Sequence, residues 1–490
     1  MAQREKLALF LVIACATAGY AVYFNVSAVP YPDFFAYREH ALWYLDGRLP
    51  EYFKRLPLFP LLIAGLSVVL PGPEPELLAA QLINLALAPV CLWLLSWVVS
   101  RFVSPRAVLL VVALFAANWA MAYSATQANV EMVLLATVLL VIDLALRGSA
   151  WVYPAAFLAS LTRPEISCLI PLVVLHDWVQ TSGVRRRKSL LWGALASVGI
   201  VGWLALSMRH APGLSQQPYM HELMVRHGSL LAFPAGALRL LSSVVPGGLL
   251  QAGLVAWTVK GVAAGLVLAG SVVLARRHKG QMIVPLGFTI TYTAVHTVFP
   301  SYLDRYVMPV LWIYFLAMAA AVEPWLSRVR RSGPVALAGG VVALTMVASS
   351  ALASVGRMNT YEVRAKRLVF RLAGEWYRDH ARPGDQLVTT VRRVVKYYSG
   401  HPEQVFYAGE LKAEALEPLL HELIERGVTY VVWDNIYEKP NSYDAINHKG
   451  YLITLLKEQY PQGLQPVAEF TVGHEHVIVY RFRPPEAISP

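Results

Sequence analysis

Residues able to do chemistry are gathered between apolar runs. Asp33, Tyr37, Arg38, Glu39 and His40 stand in "YPDFFAYREH", and "RLPLF" with Arg55 follows at 55–59. Further along come Gln127, Asn129 and Glu131, then "LTRPE" at 161–165, then "SYLDRYVMP" with Asp304, Arg305 and Tyr306. A carboxylate placed beside an acceptor hydroxyl is a general base. Arginines hold phosphate through paired N–H bonds and stabilise a departing anion. Asp33 could supply such a base, and Arg163 and Arg305 such anion-binding groups. Lys260, inside an otherwise apolar segment, is a further cation for the phosphate. Tyr37, His40, Arg55, Glu131, Asp304 and Tyr306 would line the same site or meet the acceptor.

Each of these residues also has a plain structural reading. Asp33 fits the cap of the helix "FFAYREHALWYL", and Glu131 fits a helix N-terminus, where negative charge meets the dipole. Arg163 fits a side chain that snorkels to a membrane interface. Asp304 and Arg305 fit a local ion pair, and Lys260 fits a helix end. What argues for a site is the shared location, since ionisable groups near hydrocarbon are costly.

The elements that must position these residues are membrane helices. Of 490 residues, 56% are hydrophobic and 15% charged, against roughly 25% charged in an average soluble domain. Candidate segments of the 17–25 residues a bilayer needs, roughly, are 7–24, 77–99, 107–124, 130–146, 189–207, 249–275, 281–299, 306–322 and 334–353. The run 150–180, broken at "LTRPE", reads as a helical hairpin, which gives about eleven membrane segments. The first run is read as a retained anchor, because no small-x-small cleavage site leads from it into soluble sequence.

The stretch 57–70, "PLFPLLIAGLSVVL", decides the sidedness. It is short for a span and reads as a membrane-lying helix. With it uncrossed and the N-terminus cytoplasmic, Arg101, Arg106, Arg147, "RRRK" at 185–188, "RRHK" at 276–279, Arg328, Arg330 and Arg331 all fall inside, as basic loops should. Residues 25–76 then form one long external loop. The 124–131 turn, the "LTRPE" break, 208–248, "FPSYLDRY" and everything after 356 are external with it. The expected architecture is a polytopic α-helical membrane domain, 1–356, followed by an extracytoplasmic soluble α/β domain, 357–490, in the cell (inner or plasma) membrane.

The tail differs in composition. From Arg357 onward it holds 17 basic and 17 acidic residues, so the net charge of +11 belongs to the membrane part and marks topology rather than nucleic-acid binding. Its pattern predicts a helix over 360–381, a strand in "PGDQLVTT", a helix over 411–426, the strand "VTYVVWD" at 428–434, a helix near 442–459, and strands at 466–472 and 476–483. Cys15, Cys91 and Cys168 lie in apolar segments and suggest neither disulfides nor a cysteine metal site.

The order of these features resembles the GT-C superfamily of polyprenyl-phosphate-sugar-dependent glycosyltransferases. An acid in the first external loop is followed by a membrane-lying "RxPLxP" helix. A second acid in the next external turn, then "TRPE", "DRYVMP" and a C-terminal domain complete the series. The likeness is to bacterial relatives of protein O-mannosyltransferases and of the lipid A aminoarabinose transferase, and it covers nearly the whole chain as architecture. It implies an inverting enzyme that moves a sugar from a polyprenyl-phosphate donor to an external hydroxyl of a protein, lipid or glycan. It also implies that the first-loop acid, Asp33, acts at the acceptor. In some members two loop acids share a divalent metal and others need none; here the pair would be Asp33 and Glu131, and the metal is left open.

Other motifs carry less. "HELMVRH" at 221–227 lacks the second zinc ligand of a zincin helix, Val225 standing in its place. "GHEH" at 473–476 sits in a strand pattern. No Walker or Rossmann glycine signature is present, which agrees with a lipid-linked donor. A lipid or polysaccharide transporter is the alternative class. It would spread polar residues through the bilayer, whereas here they collect on one face.

Overall fold

The apolar runs become helices because a backbone without water must bond to itself. The computed structural model describes residues 3–51, 53, 55–210, 254–298, 304–328, 334–436 and 450–485. In order these helices are α1 (Gln3–Val22), α2 (Pro32–Leu45), α3 (Leu58–Ser67), α4 (Pro75–Val99), α5 (Pro105–Ala117), α6 (Trp119–Thr126) and α7 (Glu131–Leu146). There follow α8 (Val152–Ser160), α9 (Leu169–Gln180), α10 (Gly183–His210), α11 (Leu254–Arg277), α12 (Ile283–Val298), α13 (Met308–Arg328) and α14 (Pro334–Met358). The external loop read over 208–248, with the "HELMVRH" stretch, falls almost wholly outside the described residues.

The chain divides into two compact units. One is Met1–Asn25 with Ala36–Met358; the other is Val26–Phe35 with Asn359–Pro490. The division therefore cuts α2 after its first turn and groups that turn with the C-terminal residues.

Among the described residues of the helical unit, α1, α4, Arg186–Arg209 and Gly340–Met358 are long and apolar enough to cross a bilayer; α5 and α6, bent by 59°, pass as one broken span. The chain is a membrane protein. Where they are described, the eleven segments read from sequence fall mainly on helices, but several of these helices are too short to span a bilayer unaided. The 10-residue α3 is about 15 Å long at 1.5 Å per residue, half a hydrocarbon core.

Packing in this unit relies on small residues. A Cβ at Gly270 on α11 would lie 1.7 Å from the Ala317 carbonyl oxygen on α13, so only glycine permits that approach. At the α5–α6 bend, Ser350 and Ser354 of α14 donate to the Ala117 carbonyl at 3.3 and 2.7 Å. Asn118 accepts from the Ala120 amide at 2.9 Å. These bonds satisfy the groups that the break frees.

The other unit is built on a five-stranded sheet of order β2-β1-β3-β5-β4, with β1 (Gln386–Thr389), β2 (Val405–Tyr407), β3 (Val428–Asp434), β4 (Leu464–Val472) and β5 (Glu475–Phe482). β1 pairs parallel with β2 and β3; β5 pairs antiparallel with β3 and β4. β3 is central and nearly all buried, so it reads as a continuous apolar run. β4 is an edge strand whose register shifts at Pro466, a usual way of closing an edge to further pairing.

Helices α15 (Leu368–His380), α16 (Arg392–Tyr398), α17 (Leu416–Glu425) and α18 (Gly450–Gln459) pack around it. The helix expected over 360–381 is interrupted: Arg367 takes φ +64°, and its amide donates to Glu475 at 2.7 Å. The helix expected from 411 starts at Leu416, because the Glu422 carboxylate draws the Lys412 and Ala413 amides at 2.7 and 3.0 Å into an extended lead-in. The first part of the helix expected near 442–459 lies outside the described residues.

Candidate active site

Proline shapes the centre of the site. Pro164 disfavours helix at the residue before it, and Arg163 is extended, at φ −151° and ψ 145°. This ends α8 and opens the 3-10 turn Pro164–Cys168 ahead of α9. The Leu161 carbonyl freed by the break accepts from the Leu58 amide at 3.1 Å, tying α3 to it.

The break places Arg163 among aromatic and acidic side chains. Its Nε lies 2.8 Å from Glu165 Oε1, and Nη1 lies 3.8 Å from Glu131 Oε1. The guanidinium carbon sits 4.6 Å over the Tyr306 ring, a cation–π contact. His296 stacks on the same ring at 4.7 Å and 14°, with Nε2 3.5 Å from Glu165 Oε1. Tyr292, one turn earlier on α12, lies 4.4 Å from the His296 ring. Burial alone would raise the Glu165 pKa. Arg163 and His296 more than reverse this and draw it below the ordinary carboxylate range.

Glu131 is 2% exposed and begins α7. The turn before it is fixed by Asn84 of α4, whose amide donates to the Gln127 and Asn129 carbonyls, each at 2.6 Å. Both polar atoms of the Asn129 side chain, and the Tyr292 hydroxyl, are buried without a hydrogen-bond partner among the described residues. Buried polar groups are rarely left so, and a polar ligand would explain them.

A second group lies along α2 and 55–59. Arg55, 8% exposed, sits 5.0 Å over the Tyr37 ring, and Tyr37 packs against Phe59 of α3 at 5.1 Å. His40 is fully buried, 5.3 Å from the Trp43 ring. Arg38 Nε reaches Glu76 at 3.3 Å.

The structure thus brings together Arg163, Glu131 and Tyr306 of the sequence-derived set, and Tyr37 with Arg55. Asp33, in the first turn of α2, belongs to the other compact unit. The side chains of Lys260, Asp304 and Arg305 lie outside the described residues. Sequence reasoning put Glu165 at the break without a role and passed over Tyr292 and His296. The signal was a tyrosine and a histidine four residues apart on one face of an apolar helix. Among the described residues no three His, Cys, Asp or Glu side chains cluster as metal ligands. Glu131 faces Arg163, and no step is routed through a metal.

No protein-family profile and no curated protein matches the sequence. Solved structures do. ArnT from Cupriavidus metallidurans bound to undecaprenyl phosphate superposes with a TM-score of 0.60 at 14% identity, over 96% of this chain and 97% of that one. The oligosaccharyltransferase AglB from Archaeoglobus fulgidus, in complex with an inhibitory peptide and a dolichol-phosphate, gives 0.59 at 10%, over 100% and 75%. The chain has the GT-C fold. At such identities the likeness establishes the fold and assigns no residue.

Proposed function

We propose that this chain is a multi-pass membrane glycosyltransferase that moves a sugar from a polyprenyl phosphate to an acceptor hydroxyl outside the cytoplasm, with inversion. The observation that carries the reading is the group around Arg163. It is a guanidinium fixed by Glu165 and Tyr306 at a helix break, near the buried Tyr292 hydroxyl, which has no hydrogen-bond partner among the described residues. The fold supports the reading, since solved proteins that share it hold undecaprenyl phosphate or dolichol-phosphate.

The reaction needs few groups. The acceptor oxygen attacks the anomeric carbon from the face opposite the phosphate, so one displacement inverts that centre. Its proton passes to the Asp33 carboxylate, and the bond from the anomeric carbon to the phosphate oxygen breaks. The phosphate leaves with an added negative charge. Arg163 meets that charge, with Arg305 and Lys260 as further cations. A guanidinium has five donors; with Nε committed to Glu165 and Nη1 near Glu131, Nη2 is the nitrogen best placed to meet the phosphate. Eleven membrane segments, a cytoplasmic N-terminus and a C-terminal domain outside the cytoplasm complete the proposal, with 357–490 as an acceptor-side module.

The test uses purified protein in nanodiscs and undecaprenyl-phosphate sugars, with transfer followed by mass spectrometry of acceptors from an envelope extract. Asp33→Asn keeps the size of the side chain and removes the base. Transfer should fall by about 10²–10⁴ while donor affinity is retained. Near-normal transfer by this variant would overturn the role of Asp33.

A further inference from the structure

The segment that carries Asp33 is fastened to the C-terminal residues. The Ala28 amide donates to the Arg364 carbonyl at 2.9 Å, and Arg371 Nη1 of α15 donates to the Ala28 carbonyl at 2.8 Å. Arg371 is itself held: its Nε bonds Glu375 at 2.8 Å, and its guanidinium carbon lies 4.7 Å over the Tyr398 ring. One helical turn of α2, at Phe34 and Phe35, meets the Tyr397 ring of α16 at 6.4 and 5.1 Å. Phe34 and Phe35 are 0% and 3% exposed. Asp33 directly precedes this pair of buried rings. Arg364, Arg371 and Tyr397 thus clasp Ala28, Phe34 and Phe35 from more than 300 residues away in sequence.

We infer that the C-terminal domain is a positioning element for the acceptor base: Arg371 and Tyr397 fix the 26–35 segment and thereby set where the Asp33 carboxylate stands. The inference rests on the reading of Asp33 as base and gives the C-terminal residues a part in catalysis. The physical reason is the cost of misplacement. A general base works only within hydrogen-bond reach of the proton it takes, and a displacement of about 1 Å can cost around 10²-fold in rate. A segment held by two buried phenylalanines, one backbone bond and one guanidinium bond is fixed far better than an exposed loop. Arg371 and Tyr397 are positioning residues; neither is assigned a contact with substrate.

The experiment uses the full chain in nanodiscs with an undecaprenyl-phosphate sugar. Arg371→Ala and Tyr397→Ala are compared with Tyr397→Phe, which keeps the ring. Hydrogen exchange over 26–35, donor affinity and kcat are read together. The expected result for both alanine variants is faster exchange in 26–35, at least tenfold lower kcat and donor affinity within twofold of wild type, with Tyr397→Phe restoring kcat. Exchange in β3 reports whether the sheet stays folded. If an alanine variant loses that protection, Arg371→Lys, which keeps charge but not the fork, takes its place. Faster exchange in 26–35 with unchanged kcat would overturn the inference while leaving the base intact. Normal transfer by Asp33→Asn would instead remove the reading beneath it, so the two failures are told apart.

Discussion

Two arginine–glutamate contacts of equal length mean different things in the two units. Arg163 and Glu165 lie 2.8 Å apart with side chains 16% and 11% exposed, among membrane helices. Arg371 and Glu375 also lie 2.8 Å apart, on consecutive turns of α15, but are 36% and 27% exposed. The second kind holds a surface helix together, and such pairs are worth about 0.3–0.5 kcal/mol. The first stands where a charge is expensive to keep, so its persistence calls for a ligand or a mechanism. Burial, rather than contact length, separates a site from a solvated face.

Predictions can sharpen or break this contrast. After Asp33→Asn, the largest effect is expected from Arg163→Lys. An ammonium keeps the charge and loses the planar fork, and losing one charge-assisted hydrogen bond costs about 1.5–3 kcal/mol. Donor affinity in nanodiscs should fall by roughly 10–100-fold. Unchanged affinity and turnover would reduce Arg163 to a helix anchor.

Glu165→Gln removes the partner that orients Arg163 and leaves Glu131 as its only acidic neighbour among the described contacts. A drop in donor affinity of roughly tenfold is expected, about 1.4 kcal/mol, with a smaller change in acceptor affinity. A larger loss for the acceptor would place Glu165 on the wrong substrate.

Acid should act first on the other unit. Burial alone would raise the Glu422 pKa, but the Ala413 and Lys412 amides and Arg426 bond its carboxylate and lower it below the ordinary range. The stability it contributes is present above about pH 4.3, the ordinary glutamate value, and is lost as pH falls through the lower folded value. Hydrogen exchange in α17 should therefore quicken on acidification below about pH 4, and Glu422→Gln should flatten that dependence. An equally steep response in the variant would show that another group governs it.

The smallest effect is expected from Lys366→Gln. Lys366 and Glu362 pair at 46% and 57% exposure, and the change should leave transfer and protection unaltered. A loss of transfer there would break the rule that exposed pairs are energetically minor.

How much was legible follows the same divide. Local order could be read from the sequence: apolar runs gave α1, α4, α7 and α12 within a few residues. Pro164 marked the break at Arg163, and alternating apolar and turn residues marked β1, β3, β4 and β5. Strand β2 and helix α16 were missed, because three and seven residues carry too little periodicity to stand out. The start of α17 was misplaced because a carboxylate ten residues away captures the Lys412 amide.

By itself, then, the sequence determined where helices and strands form and where they stop, since propensity, period and proline act over one or two turns. Only tertiary structure decided which charges meet. Glu131, Arg163, His296 and Tyr306 come from separate segments, and nothing in their spacing orders them around one guanidinium. The same holds for Val26–Phe35, which follows the first helix in sequence yet groups with the C-terminal unit. Such pairings are settled by burial of the Phe34 and Phe35 rings and by the bonds of Ala28 to the Arg364 carbonyl and the Arg371 guanidinium, across more than 300 intervening residues, contacts that no local pattern encodes.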